Sequence, residues 1–255
     1  SDVCSSDLVL TLTLLMGTMF TSCMDSGESG PQQWAGVVKV NDRMGYVTFT
    51  DAAGTELIPT NTIPVTLNAR MAYIYCQVDE GQDLSTNPKS IKITLLADPT
   101  GIDATAITTP KVGESGDVTT NAPVGSLSFA SGYSTVAPFQ FSENTIVLPV
   151  LYRVKNVTTT EDIKNELAKH TFTLVCYTDD IKSGDTILKL YLRYKVEDEP
   201  AAIAERATRT SSFKAYEISQ ILREYTLKSG QAKPAKITIV AQQNEYNNKL
   251  EDTST

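Results

Sequence analysis

Cys23 is the residue whose setting most clearly implies chemistry. It follows Thr21 and Ser22, closes an apolar stretch over residues 8–20, and precedes the polar run Met24-Asp25-Ser26-Gly27-Glu28. Small residues before a cysteine fit a signal-peptidase pocket, and the thiol is the nucleophile that accepts a diacylglyceryl group. A membrane span needs roughly 20 apolar residues, whereas a signal-peptide core needs about 7–15. Residues 8–20 have the shorter length, and their threonines and Gly17 weaken them further as a span. One acyl chain binds a bilayer only marginally. At about 0.8 kcal/mol per buried methylene, two or three chains anchor a protein stably. Cys23 is therefore expected to be the lipidated first residue of the mature chain, with the membrane as its partner. The alternative is a buried N-terminal strand or helix in which Cys23 is an ordinary thiol.

The start of the chain departs from this pattern. Signal peptides open on basic residues, but no Lys or Arg precedes Lys39, and Ser1-Asp2-Val3-Cys4-Ser5-Ser6-Asp7 is acidic. Residues 1–7 are read as non-native.

No other residues form a catalytic pattern. His170 is the one histidine, and no GxSxG elbow accompanies it; a position at a helix end, favourable to the helix dipole, is expected. The acidic pairs Asp79-Glu80, Asp179-Asp180 and the run Glu197-Asp198-Glu199 lie in turn-like sequence, where solvated charge is the default. The spacing Asp179 to Asp185 does not match an EF-hand loop. With no CxxC and no Cys/His cluster, no metal and no cofactor are expected, and the protein is expected not to be an enzyme. Tyrosines at 73, 75, 152, 177, 191 and 194 fall on expected strands. Such rings either pack or form a platform for sugars and peptides. Tyr191 and Arg193 are the pair expected to face outward and to contact a ligand.

The balance of 22 basic and 30 acidic residues, a formal charge of −8 over 255 residues, argues against nucleic acid, whose binding depends on neutralising phosphates. It also disfavours adhesion to anionic headgroups. Cys76 and Cys176 each lie in a strand-like run and are expected to be buried free thiols.

The elements that would carry these residues are nearly all strands. Residues 8–22 are the signal peptide and 23–33 the lipidated cysteine with a flexible tether. Residues 34–97 hold five strand-like runs (34–40, 46–50, 56–59, 69–78 and 90–96), separated by Asn/Asp/Gly turns. That spacing suits a small OB-like barrel, and an SH3-like barrel nearly as well. Residues 98–132 are Gly/Pro-rich and are read as a junction. Residues 133–243 return to strands at 145–154, 171–177, 186–195, 213–218 and 236–242. A capping box from Thr158 to Glu161 opens a short helix over 161–169, with Ile163 and Leu167 on one face; a helical stretch is also expected over 219–227. This pattern predicts an immunoglobulin-like sandwich, followed by a polar tail over 244–255. The fold class expected is all-β.

With Phe20-Thr21-Ser22-Cys23, the stretches 47–57, 72–78 and 172–177, Leu190-Tyr191-Leu192-Arg193-Tyr194 and the closing Ile237-Thr238-Ile239 in place, the chain resembles the NigD-like lipoproteins of gut and oral bacteria. The resemblance implies an OB-like domain, a β-sandwich, and an accessory or immunity-type role linked to bacteriocin operons; it brings no catalytic residues. A lipid-anchored outer-membrane module that binds a protein or glycan is the function expected. A fimbrillin-like structural or adhesive protein and a surface glycan binder are the alternatives.

Overall fold

The computed structural model describes residues 10–12, 32–61, 67–84, 87–131 and 134–250. Cys23 and residues 24–31 of the tether lie outside them, whereas Gln33, the last residue assigned to the tether, already begins a strand. The chain divides near Asp103 into two compact units, and Leu10–Leu12 (β1) belongs with the second.

The first unit is a closed five-stranded barrel. Its strands are β2 (Gln33–Arg43), β3 (Tyr46–Thr50), β4 (Glu56–Pro59), β5 (Met71–Val78) and β6 (Ser90–Leu95). They neighbour one another in the order β2-β3-β4-β6-β5, and β2 returns to β5 to close the ring. Only β4 and β6 are parallel. A 1-2-3-5-4-1 circuit with that parallel pair is the OB arrangement, so connectivity decides what strand spacing left open. The seam falls at Lys39, which pairs with Thr50 of β3 on one side and Met71 of β5 on the other. A short strand, β7 (Thr100–Gly101), adds to β5.

Alternation fills the barrel. Ala72, Ile74 and Cys76 of β5 point inward with Val38, Val40, Phe49, Leu57, Ile93 and Leu95. The hairpin between β2 and β3 turns on Met44 and Gly45, both at positive φ, which matches the twist of the strands it joins. Asp42 Oδ1 accepts the Gly45 N–H at 2.9 Å.

The second unit is also β. Its strands are β8 (Asp103–Thr109), β9 (Phe129–Ser131), β10 (Ser134–Val136), β11 (Phe139–Ser142), β12 (Thr145–Val154), β13 (His170–Tyr177), β14 (Ile187–Val196), β15 (Thr208–Glu217) and β16 (Lys236–Ala241). One eight-stranded sheet runs β1-β16-β14-β13-β8-β15-β12-β11. Tyr152 of β12 nonetheless packs on Phe172 of β13 at 5.0 Å between ring centroids, and on Tyr194 of β14 at 6.0 Å. Strands three and four places apart in the sheet therefore meet face to face. The two facing layers are halves of one curled sheet, with Ile146, Leu148, Leu174, Leu190 and Ile239 in the core between them. Pro149 is tolerated inside β12 because β11 pairs only as far as Val147, so no neighbour there needs its missing N–H.

Several elements differ from expectation. The stretch read as a junction over 98–132 contains β8, an interior strand parallel to β13; its Thr/Ala-rich sequence gives no apolar alternation. Helix α1 runs Thr160–Ala168, and its cap is Thr159, which accepts the Asp162 N–H, one residue later than the box read from Thr158. Ile163 and Leu167 of that helix are exposed while Glu166 is buried, the reverse of the apolar-face reading. His170 is not a helix-end residue: it opens β13 with its side chain in the core. A short helix, α2 (Pro200–Ala204), follows β14, and α3 (Ser219–Ser229) buries Ile221 and Tyr225. Cys76 and Cys176 are buried free thiols, one in each unit, both pushed up to about 12 by burial.

Candidate functional site

Tyr191 and Arg193 leave β14 on the face opposite the core, because Leu190, Leu192 and Tyr194 take the alternate inward positions. Both are half-buried. On the neighbouring strand Val175 pairs with Tyr191 and Thr173 with Arg193, which places Tyr177 diagonally beside Tyr191. The two tyrosine rings lie 4.9 Å apart, tilted at 58°. The Arg193 guanidinium carbon stands 5.4 Å from each ring centroid, so the cation is shared between two aromatic faces.

Hydrogen bonds fix this arrangement. Arg193 donates from Nε and Nη2 to the Tyr177 hydroxyl at 3.1 and 2.6 Å, and that hydroxyl donates to Asp117 Oδ1 at 2.9 Å. Asp117 also accepts the N–H groups of Gly113 and Val118, both at 2.8 Å. Burial pushes the Asp117 carboxyl up, but these bonds and the Arg193 charge outweigh it and hold the group below its ordinary value. Tyr191 donates to Asp180 Oδ2 at 3.3 Å. Burial first, then the Asp180 charge, raises the Tyr191 phenol. Asp179 is turned away to Lys228 Nζ at 3.1 Å. The acidic pair 179–180 thus serves two different neighbours.

Tyr177 itself is buried, so the partly exposed surface here is that of Tyr191 and Arg193, an aromatic ring beside a guanidinium, which suits stacking and hydrogen bonding to a polar ligand. No group of three metal-ligating side chains occurs among the described residues. Asp117 and Tyr177 escaped sequence reasoning as partners of Arg193. Asp117 lies in an irregular segment, and only the fold brings it to β13.

A second polar cluster is structural. Glu166 on α1 accepts Arg206 at 2.7 Å from Nε and 3.2 Å from Nη2, and the Lys155 N–H at 2.9 Å. Arg206 also reaches Asp198 Oδ2 at 3.0 Å, where Lys155 and Lys169 converge at 3.1 and 3.3 Å. His170 completes the cluster, with Nε2 3.3 Å from Glu166 Oε1 and Nδ1 2.6 Å from the Tyr194 hydroxyl. A carboxylate only accepts, so the neutral imidazole carries its proton on Nε2 and accepts from Tyr194.

In comparison with known proteins, the chain is 96% identical to a Bacteroides fragilis protein designated a lipoprotein, whose crystal structure it matches over 88% of this chain and 94% of that one with a TM-score of 0.82. The chain belongs to the family of that lipoprotein. A Bacteroides vulgatus protein of unknown function, 10% identical over 85% of this chain and 88% of its own length, has a TM-score of 0.51 and shares the fold. No family model and no curated protein matches the chain. No helix among the described residues is long and apolar enough to cross a membrane.

Proposed function

We propose that the protein is a non-enzymatic module held on the outer membrane by lipid at Cys23, and that it binds a protein or glycan through Tyr191 and Arg193, which the buried Tyr177 holds in place. The observation that carries the anchor is the near-identity to a designated lipoprotein, together with the small-small-Cys sequence that ends the apolar segment. The NigD-like resemblance adds an accessory or immunity-type role. For the binding face, the support is the sharing of Arg193 between two tyrosine rings on the outer side of the sheet.

Three measurements test this reading. Labelled palmitate should enter the wild-type protein and not Cys23→Ser, which should leave the membrane fraction. Glycan-array or pull-down binding should be lost in Tyr191→Ala; unchanged binding removes the face from the proposal. Deletion of the gene should sensitise cells to toxins encoded beside it, and unaltered sensitivity removes the immunity role.

A fimbrillin-like structural role has one observation in its favour. Leu10–Leu12 adds to the edge of β16 as an antiparallel strand, with Thr11 opposite Thr238. Loss of that segment with the signal peptide would open the β16 edge to a strand from another copy. A lipid-bearing monomer on the cell surface, with no polymer, excludes this role.

A further inference from the structure

Arg153 and Arg209 face each other directly across β12 and β15. Like charges in opposite positions of an antiparallel pair repel. Arg153 is 7% exposed, on the side of β12 opposite the core residue Tyr152, while Arg209 is open to solvent. Both guanidiniums donate to one neutral acceptor, the Glu245 carbonyl, at 2.5 Å from Arg153 Nη2 and 2.8 Å from Arg209 Nη2. Among the described residues no carboxylate lies within ion-pair distance of either.

Arg153 Nε is buried and has no acceptor among the described residues. Two residues before Glu245, the Gln243 Nε2 donor is likewise buried without a partner. A buried charge is destabilising unless an opposite charge or sufficient hydrogen bonds replace its water. Here two cations share a single uncharged oxygen. Burial, then the Arg209 charge, pushes the Arg153 guanidinium below its ordinary value. Arg206 shows the contrast within the same unit: its fork is filled by Glu166 and Asp198.

We infer that Arg153 and Arg209 form a binding site for an oxyanion, a carboxylate or a tetrahedral phosphate or sulfate group, with the empty Nε–H of Arg153 as one of its donors. The planar guanidinium fork matches two oxygens of such a group, and an Arg–oxyanion pair is the strong, charge-assisted kind of hydrogen bond. A bound anion would neutralise the cross-strand repulsion and satisfy the orphaned donor together. The site shares no residue with the Tyr177–Tyr191–Arg193 face and does not depend on it.

The test is calorimetric titration of the full chain with sodium phosphate, sodium sulfate and sodium acetate at constant ionic strength, with sodium chloride as the blank. Saturable binding of at least one oxyanion is expected, and the three arms identify which chemistry the site prefers. Arg209→Gln changes an exposed side chain and should fold normally while weakening that binding at least tenfold. Arg223→Gln removes an equal charge from an exposed side chain on α3 and should leave it unchanged. Absence of saturable binding, or equal binding by Arg209→Gln, overturns the site. Binding that appears only in the full-length Glu251→Gln/Asp252→Asn double variant would mean that the chain's own tail supplies the anion, and overturns an external ligand.

Discussion

Glu166 and Arg206, forty residues apart in sequence, form a bidentate ion pair inside the second unit, with the Arg206 side chain fully buried and that of Glu166 5% exposed. The pair ties α1 to the segment that follows α2. Removing one partner of a buried pair strands the other charge, which costs about 3–5 kcal/mol. Glu166→Ala is therefore expected to lower unfolding free energy by about that amount, measured by urea denaturation at pH 7. Replacing both residues, Glu166→Leu with Arg206→Met, should recover much of the loss, because no unpaired charge remains.

Stability should fall on acidification in two stages. Burial holds the His170 imidazole below its ordinary value of 6.5, so it stays neutral in the fold where the unfolded chain would take up a proton. The stabilisation is complete above about pH 6.5 and declines as pH drops below it. The second stage belongs to Glu166. Burial pushes its carboxyl up, but the bonds from Arg206, Lys155 and His170 outweigh this and bring it down from 4.5 to about 2. That contribution is present above pH 4.5 and is lost as pH falls toward 2. Melting temperature against pH should show both stages, and His170→Phe should remove the first while retaining the second.

Tyr177→Phe deletes the hydroxyl that links Arg193 to Asp117. Hydrogen bonds to charged groups are worth about 1.5–3 kcal/mol; Asp117 loses one and Arg193 loses the acceptor of two. A stability loss of about that size is expected in thermal unfolding. If the face binds as proposed, the same variant should weaken the ligand by releasing Arg193.

Gly36 sits on β2 where a Cβ would come within 2.5 Å of the Trp34 ring. Gly36→Ala must displace that ring, at a cost of about 1–3 kcal/mol for overpacking. Trp34 is the one tryptophan of the chain, so the displacement should appear directly as a red-shifted emission maximum, a more exposed indole. An unchanged spectrum would show that the ring does not cover Gly36.

Much of the architecture was legible in sequence because its signals are local. Alternation in the stretches 46–50, 71–78 and 187–196 sets which side chains point inward, and Gly45 marks a turn that needs positive φ. The outward position of Tyr191 and Arg193 follows from the same period of two. Partners across long separations carry no such signal. Nothing in the polar segment before Asp117 announces that it reaches Tyr177, sixty residues later. Nor does the Thr/Ala composition of β8 announce an interior strand, since β13 and its other neighbour supply the hydrogen bonds regardless of its side chains.

The sequence by itself determined the strand pattern, the acidic surface charge, and the cysteine after an apolar leader, because each depends on neighbouring residues alone. Tertiary structure decided the rest. The return of β2 onto β5 made the first unit an OB circuit, and curling made one sheet into two facing layers. It also buried Glu166 while exposing Ile163 and Leu167, and set Arg153 against Arg209 with no counter-charge among the described residues. Burial and charge pairing are properties of which surfaces meet, and for residues forty or sixty positions apart only the folded chain specifies that.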